Sequence, residues 1–255
     1  MRILIFTDLD GTLFQSARQQ PPCAGWRPLA FLKNGAPVCW ASPQQQAFLV
    51  WLQHGGAQLV PVTARNLDAF LRVRIDFTGS AVIDYGGAIV NAAGRPDEAW
   101  LARTREQAQT SQSALLQWQE FLQRENALLR GDANVRIIGD FGAQFYITAK
   151  SANHNEAVVQ ALAARCCDAL AAATLPPMVL HTNGNNLALL PHWLDKSHAV
   201  RHILECSTAG DTADDGGVLS IGLGDSLSDV PFLRACDWRM LPGGSQIDMV
   251  LGQQK

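Results

Sequence analysis

Apolar residues follow two rhythms along this chain. Near both ends they form short, nearly unbroken runs closed by polar residues or glycine: Arg2–Thr7, 58–62, 81–84 and Val218–Leu223. Runs of about four to eight residues rich in Val, Ile and Leu suit strands buried on both faces. Between them lie helical signals. Ser42-Pro43 opens a helix as N-cap and first helical residue, and the helix stops after His54 at Gly55-Gly56. A helix is predicted after Thr63-Ala64-Arg65, reaching Arg74, and others over 195–206 and 228–235, with a last strand over 238–241. Residues 15–25 and 208–217 read as loops. Two apolar runs, 28–32 and Pro37–Ala41, flank Asn34-Gly35, a dipeptide that suits a hairpin turn because both residues tolerate positive φ. Strands alternating with helices predict an α/β fold built on a parallel sheet.

The middle of the chain has a different rhythm. Residues 96–129 are rich in Gln, Ala, Leu and Glu, and Leu101, Ala108, Leu115, Leu122 and Leu129 recur every seventh position. The companion positions Thr104, Ser111 and Glu125 are polar, so one or two amphipathic helices on a sheet fit better than a coiled coil. Paired strands follow at 135–140 and 144–150, a helix at 153–173, and two more strands at 178–182 and 187–190 around Asn183-Gly184-Asn185-Asn186. The expected division is a discontinuous first domain, 1–86 with 190–255, and an inserted α+β domain, 87–189.

Composition narrows the functional classes. Twenty basic and 23 acidic residues give a net charge of −3, without the clustered Lys and Arg that nucleic acid demands. At 47% apolar and 17% charged the chain is too apolar for disorder. No run reaches the ~18 apolar residues of a membrane span. The first acid, Asp8, follows only four apolar residues, which does not read as a signal peptide. Six cysteines without a CxxC pair suit reduced thiols, and the expected location is cytoplasmic, with no membrane and no nucleic-acid partner.

The chemistry gathers where predicted strands end: Asp8 and Asp10, Thr63, then Asp225 and Asp229. In open α/β sheets the ligand lies beyond the carboxyl ends of the strands. If these strands are parallel neighbours, four carboxylates converge and repel unless a cation lies among them. Hard oxygen donors point to Mg²⁺. Residues two apart on an extended segment face one side, so one carboxylate of Asp8-x-Asp10 can attack while the other handles a proton. Gly11 permits a sharp turn, Thr12 is placed to hold Asp10, and Lys196, opening a helix, can neutralise charge on a transferring group.

Asp8-Leu9-Asp10-Gly11-Thr12-Leu13, Thr63, Lys196 and Gly224-Asp225-Ser226-Leu227-Ser228-Asp229, in that order, resemble the haloacid dehalogenase-like superfamily. The insertion between Thr63 and Lys196 resembles the type IIB cap of Cof-type and sucrose-phosphatase-like hydrolases. The resemblance implies a Rossmann-like core with a cap. It implies Asp8 as nucleophile and Mg²⁺ ligand, and Asp10 as general acid then base with its backbone carbonyl on the metal. Thr63 and Lys196 would bind the phosphoryl group, Asp225 would ligate the metal, and Asp229 would support it directly or through water. Relatives often carry Asn at Ser228 and Gly at Ser197, and Ser228 reaches less far than Asn.

Other residues carry two readings. Ala64 and Arg65 continue the Thr63 motif toward substrate, whereas Arg65 and Asn66 equally suit capping of the next helix. His181, Asn183, Asn185 and Asn186 are candidate substrate contacts from the insertion, or turn residues. Arg136 reads as solvated, and the tryptophans as packing. The hairpin at 28–41 is longer than the usual connection and is placed to overhang the site. The expected function is a Mg²⁺-dependent phosphatase acting on a small phosphorylated metabolite, such as a sugar phosphate, through an aspartyl phosphate. The alternatives are a phosphomutase or phosphotransferase of the phosphomannomutase kind, and a non-catalytic metabolite sensor.

Overall fold

The computed structural model describes residues 1–17, 20–208 and 217–253. Of the loop expected at 208–217, residues 209–216 therefore lie outside the described residues. The chain divides into two compact units, Met1–Trp100 with Asp195–Lys255, and Leu101–Leu194.

The first unit is built on a parallel four-stranded sheet. Its strands are β1 (Arg2–Thr7), β5 (Gln58–Pro61), β12 (Val218–Leu223) and β13 (Trp238–Met240), in the order β13-β12-β1-β5. β1 is central and pairs in parallel with both β12 and β5. Its inner residues Leu4, Ile5 and Phe6 are buried, as the unbroken apolar run requires. A parallel bridge from Val62 to Val82 carries the sheet on to β6 (Ala81–Ile83). β6 turns back antiparallel into β7 (Ala88–Val90), a strand not expected from the sequence, in residues it assigns to the inserted domain. Leu4, Phe6, Val60, Val82 and Ile89 form one core with Val200 of α5 (Lys196–Thr208), Phe232 of α6 (Val230–Arg234) and Ile247 of α7 (Gln246–Gly252).

A second, three-stranded sheet follows the first strand: β2 (Gln15–Ser16), β3 (Arg27–Phe31) and β4 (Pro37–Ala41), in the order β2-β4-β3. The hairpin at Asn34-Gly35 is present, and Gln15–Ser16, expected as loop, is a short strand on β4. α1 (Pro43–His54) starts as expected, with Ser42 and Gln45 completing a capping box.

The helix expected to reach Arg74 is only the single turn α2 (Leu67–Phe70), capped by Asn66. The chain leaves the helix to pair with the hairpin instead. Val73 bridges Ala30, and the Arg74 amide donates to the Leu29 carbonyl at 2.7 Å.

The second unit carries an antiparallel sheet in the order β10-β11-β9-β8: β8 (Ala133–Ile138), β9 (Tyr146–Ser151), β10 (Val179–Asn183) and β11 (Asn186–Leu190). α3 (Glu98–Leu128) and α4 (Glu156–Ala171) supply its helical layer, with Leu115, Trp118, Leu122, Val159 and Leu162 packing against Ile147, Leu187 and Leu189. α3 is one helix of 31 residues. Its companion positions Thr104, Trp118 and Glu125 are buried beside the sevenfold series, so polar residues lie within one continuous stripe.

The units meet in sequence at Trp100 and Leu194, later than 86 and 189. The β6–β7 hairpin belongs to the first unit, and the Trp100 indole donates to the Gly86 carbonyl at 3.0 Å within it. The six cysteines are free thiols. Among the described residues, no helix is long and apolar enough to cross a membrane.

Candidate active site

The register of the parallel sheet decides which side chains meet. Thr7 at the end of β1 pairs with Leu223 of β12 and Pro61 of β5. The Asp8 amide donates to the Leu223 carbonyl at 2.8 Å, and the Val62 amide to the Thr7 carbonyl at 2.8 Å. Asp8, Thr63 and Asp225 therefore leave three adjacent strands at the same carboxyl edge, where open α/β sheets place their ligands.

Carboxylate oxygens of Asp8, Asp225 and Asp229 all lie within 4.8 Å of one another. Lys196, the first residue of α5, sends its ammonium among them, 2.7 Å from Asp8 Oδ1 and 2.7 Å from Asp229 Oδ1. Burial would lower the Lys196 pKa, but the charges of Asp229 and Asp8 outweigh it and hold the ammonium above its ordinary range. The Asp8 pKa is raised as well, which for an acid favours the neutral form. Burial, joined by repulsion from Asp229 and Asp225, raises it well above the usual carboxylate range despite Lys196. Asp225 is pushed up to about 7, first by burial and then by Asp229.

Asp229 is saturated. Its Oδ2 accepts from the Asp225 and Ser226 amides at 3.2 and 3.0 Å and from the Ser226 hydroxyl at 2.9 Å, while its Oδ1 holds Lys196. Of the three carboxylates, which together could hold a metal ion, Asp229 is thus the most fully engaged by the chain itself. The donor set is all oxygen and carries more negative charge than one lysine balances, which fits a hard divalent ion.

Two glycines make the approach possible. Gly11 has φ +93°, and a Cβ there would collide with the Asp225 carboxylate. Gly86 has φ +98°, and a Cβ would lie 2.6 Å from the Asp195 carbonyl at the start of α5.

Thr63 is buried and accepts the Arg65 amide at 3.1 Å, leaving its hydroxyl proton to donate. Ala64 sits between them on the same strand end. Thr12, expected to hold Asp10, instead points at Asp225 Oδ1 at 3.4 Å.

Asp10 is held by Arg65. Nε lies 2.6 Å from Oδ2 and Nη2 2.7 Å from Oδ1, a two-point pair. The protein atoms crowded around it raise the Asp10 pKa, although the side chain is half open to solvent, but the charge and hydrogen bonds of Arg65 more than cancel this, so the carboxylate ends below its ordinary value. Arg65 is thus engaged with an acid of its own chain, while its Nη1 donates to the Ala69 carbonyl of α2, whose N-cap is Asn66.

Ser228 lies on a single helical turn, Leu227–Asp229, with its hydroxyl 2.8 Å from that of Ser226. In the second unit Asn183 ends β10, paired with Asn186, and Asn185 is on the turn that joins β10 to β11. The Asn185 amide group donates to the Ser151 carbonyl at 3.0 Å and lies 2.8 Å from His154 Nδ1.

Sequence reasoning missed the surroundings of Lys196. The rings of Tyr85 and Phe232 lie 5.8 and 5.7 Å from its ammonium. Tyr85 has φ +56°, a strained conformation for an aromatic residue, and burial pushes its hydroxyl up to about 12. Its place at the end of the third strand, before Gly86-Gly87, was the available signal. Cys39 was also missed, although in the β4 pattern Cys39 and Ala41 alternate onto one buried face.

No family model and no curated protein matches the sequence. Solved structures do. The chain is similar to the C-terminal domain of C. albicans trehalose-6-phosphate phosphatase, with 14% identity and a TM-score of 0.58, covering 92% of this chain and 73% of that one. It is similar to a haloacid dehalogenase-like hydrolase from B. subtilis, with 16% identity, a TM-score of 0.53 and coverage of 96% and 91%. A trehalose-6-phosphate phosphatase related protein aligns at 14% identity with a TM-score of 0.51, over 99% of this chain and 100% of that one. The chain has the haloacid dehalogenase-like hydrolase fold.

Proposed function

We propose that this protein is a Mg²⁺-dependent phosphatase that hydrolyses a small-molecule phosphomonoester, such as a sugar phosphate, through an aspartyl phosphate on Asp8. The observation that carries the reading is Asp8 at a strand end, 2.7 Å from a buried lysine and clustered with Asp225 and Asp229. A bound Mg²⁺ would be held by Asp8 and Asp225 and supported by Asp229, and would offset the negative charge of a phosphate monoester.

The chain's own groups divide the remaining work. An Asp8 carboxylate oxygen attacks phosphorus as the ester P–O bond breaks, and Asp10 in its protonated form, the minor form beside Arg65, gives its proton to the leaving oxygen. Lys196 and the Thr63 hydroxyl orient the phosphoryl oxygens and take up their charge. Water then attacks the acyl phosphate, Asp10 accepts the water's proton, and the P–O bond to Asp8 breaks. Arg65 favours the ionised Asp10 that this second half needs.

The test is inorganic phosphate release from a panel of phosphorylated metabolites that includes trehalose 6-phosphate, with Mg²⁺ and with excess chelator. Mg²⁺-dependent release from at least one member is expected. A panel with no release, or full release in chelator, overturns the reading.

A further inference from the structure

The hairpin inserted after the first strand reaches the acid/base residue. β4 is the middle strand of its small sheet, and Cys39 pairs with Ser16 on one side and Ala30 on the other. The pairing with β3 shifts register at Pro28, Ala30 and Phe31, and such irregularities re-aim side chains. Here the result is a buried thiol 3.6 Å from Asp10 Oδ1 and 3.5 Å from Arg65 Nη2.

The Asp10 side chain is 48% exposed, against 15% for Arg65. A carboxylate that open would ordinarily change rotamer freely, but both of its oxygens are occupied. Arg65 is fixed in turn: Nη1 donates to the Ala69 carbonyl at 3.3 Å, and the guanidinium lies over the Phe14 ring at 5.3 Å. The hairpin is tied to the segment following Arg65. Arg72 Nε donates to the Phe31 carbonyl at 2.9 Å, beside the Ala30–Val73 bridge and the Arg74–Leu29 hydrogen bond. Hairpin and arginine therefore approach Asp10 as one framework.

We propose that Cys39 is a positioning residue that acts through Asp10 and Arg65, so that the β3–β4 hairpin is part of the catalytic apparatus. The thiol does this as a neutral weak donor. Burial, then the Asp10 charge, pushes it up to about 12, which rules out a thiolate nucleophile at neutral pH. A small polarisable S–H fits between a carboxylate and a guanidinium without adding charge.

The inference rests on the proposed phosphatase reading for Asp10, and its test separates the two. Cys39→Val keeps an apolar side chain of similar size and removes the donor, whereas Cys39→Ser keeps a donor. Both are compared with wild type on an alkyl phosphate, whose leaving oxygen needs a proton, and on p-nitrophenyl phosphate, whose leaving group does not.

Cys39→Val is expected to lower kcat/KM for the alkyl ester about fivefold, the scale of one hydrogen bond, with p-nitrophenyl phosphate unchanged. Cys39→Ser is expected to restore most of that loss. A packing role gives the opposite order, with valine tolerated and serine harmful, and that order overturns the inference. Equal losses on both esters also overturn it.

The proton exchange of Arg65 Nε–H, followed by nuclear magnetic resonance, needs no activity. It is expected to be slow in wild type and Cys39→Ser and faster in Cys39→Val. If wild type cleaves neither ester, this exchange alone decides the positioning, with unchanged exchange in Cys39→Val overturning it, while the metabolite panel decides the phosphatase reading separately.

Discussion

The Lys196 ammonium lies 2.7 Å from an Asp8 carboxylate oxygen, with only 3% of the lysine side chain exposed. That pair sets the electrostatics of the carboxyl edge. Breaking a buried pair from one side leaves the partner's charge uncompensated, at a cost of about 3–5 kcal/mol. Lys196→Met should therefore melt well below wild type in chelator at pH 8, and divalent ion should recover part of the loss. Coincident melting curves would show that the pair carries no such load.

Asp8→Asn should behave in the opposite way. Burial and like charges raise the Asp8 pKa above that of the unfolded chain, so its ionised form opposes folding. A neutral isostere removes that opposition. For a chain this long about 1 kcal/mol moves Tm by roughly 2–4 °C, so a rise of a few degrees in metal-free buffer at pH 8 is expected. Turnover should fall on the order of 10³-fold or more, as for other lost nucleophiles. A lower Tm would contradict the electrostatic account.

Asp225 gives the pH dependence. Its folded pKa of about 7 exceeds the unfolded value of about 4. The stability it lends the metal-free protein is present below about 4 and is lost as pH rises toward about 7. A cation must displace that proton. Divalent affinity measured by calorimetry should therefore climb from pH 5 to about 7 and flatten above. Affinity independent of pH over that range would count against Asp225 as a ligand.

Gly11→Ala tests the close approach at φ +93°, where a methyl group would occupy the space of the Asp225 carboxylate. Divalent affinity should drop on the order of tenfold, about 1.4 kcal/mol of displaced ligand, with circular dichroism unchanged. Wild-type affinity would mean that Asp225 does not need that space.

Arg65→Lys separates two roles. Lysine keeps the charge but cannot form the two-point pair with Asp10. A fall in kcat of roughly tenfold with KM nearly constant is expected if Arg65 serves Asp10. A rise in KM at constant kcat would assign Arg65 to substrate.

The strand ends were legible because a buried parallel strand must be apolar throughout, so the polar residues closing each run mark the sheet's carboxyl edge. Asp8, Thr63 and Asp225 followed from that alone. Chain partners separated by long stretches were not legible. A guanidinium just before a helix looks the same whether it meets a substrate, a cap or, as here, Asp10. The early end of α2 had the same origin, since residues 72–74 pair with a hairpin some 40 residues earlier in place of continuing the helix. In α3, polar Thr104 and Glu125 weighed against a coiled coil because of their polarity, but both are buried beside the sevenfold series. Burial of a polar side chain depends on what packs over it, and the local pattern does not record that.

The central claim is that Asp8 carries the phosphoryl group. The direct measurement is acid quenching of the enzyme during turnover of its best phosphomonoester with Mg²⁺, followed by peptide mass spectrometry. A phosphorylated Asp8, absent in chelator and chased by further incubation, is the expected result. Rapid phosphate release with Asp8 unmodified at every quench time, or undiminished release by Asp8→Asn, would contradict the account.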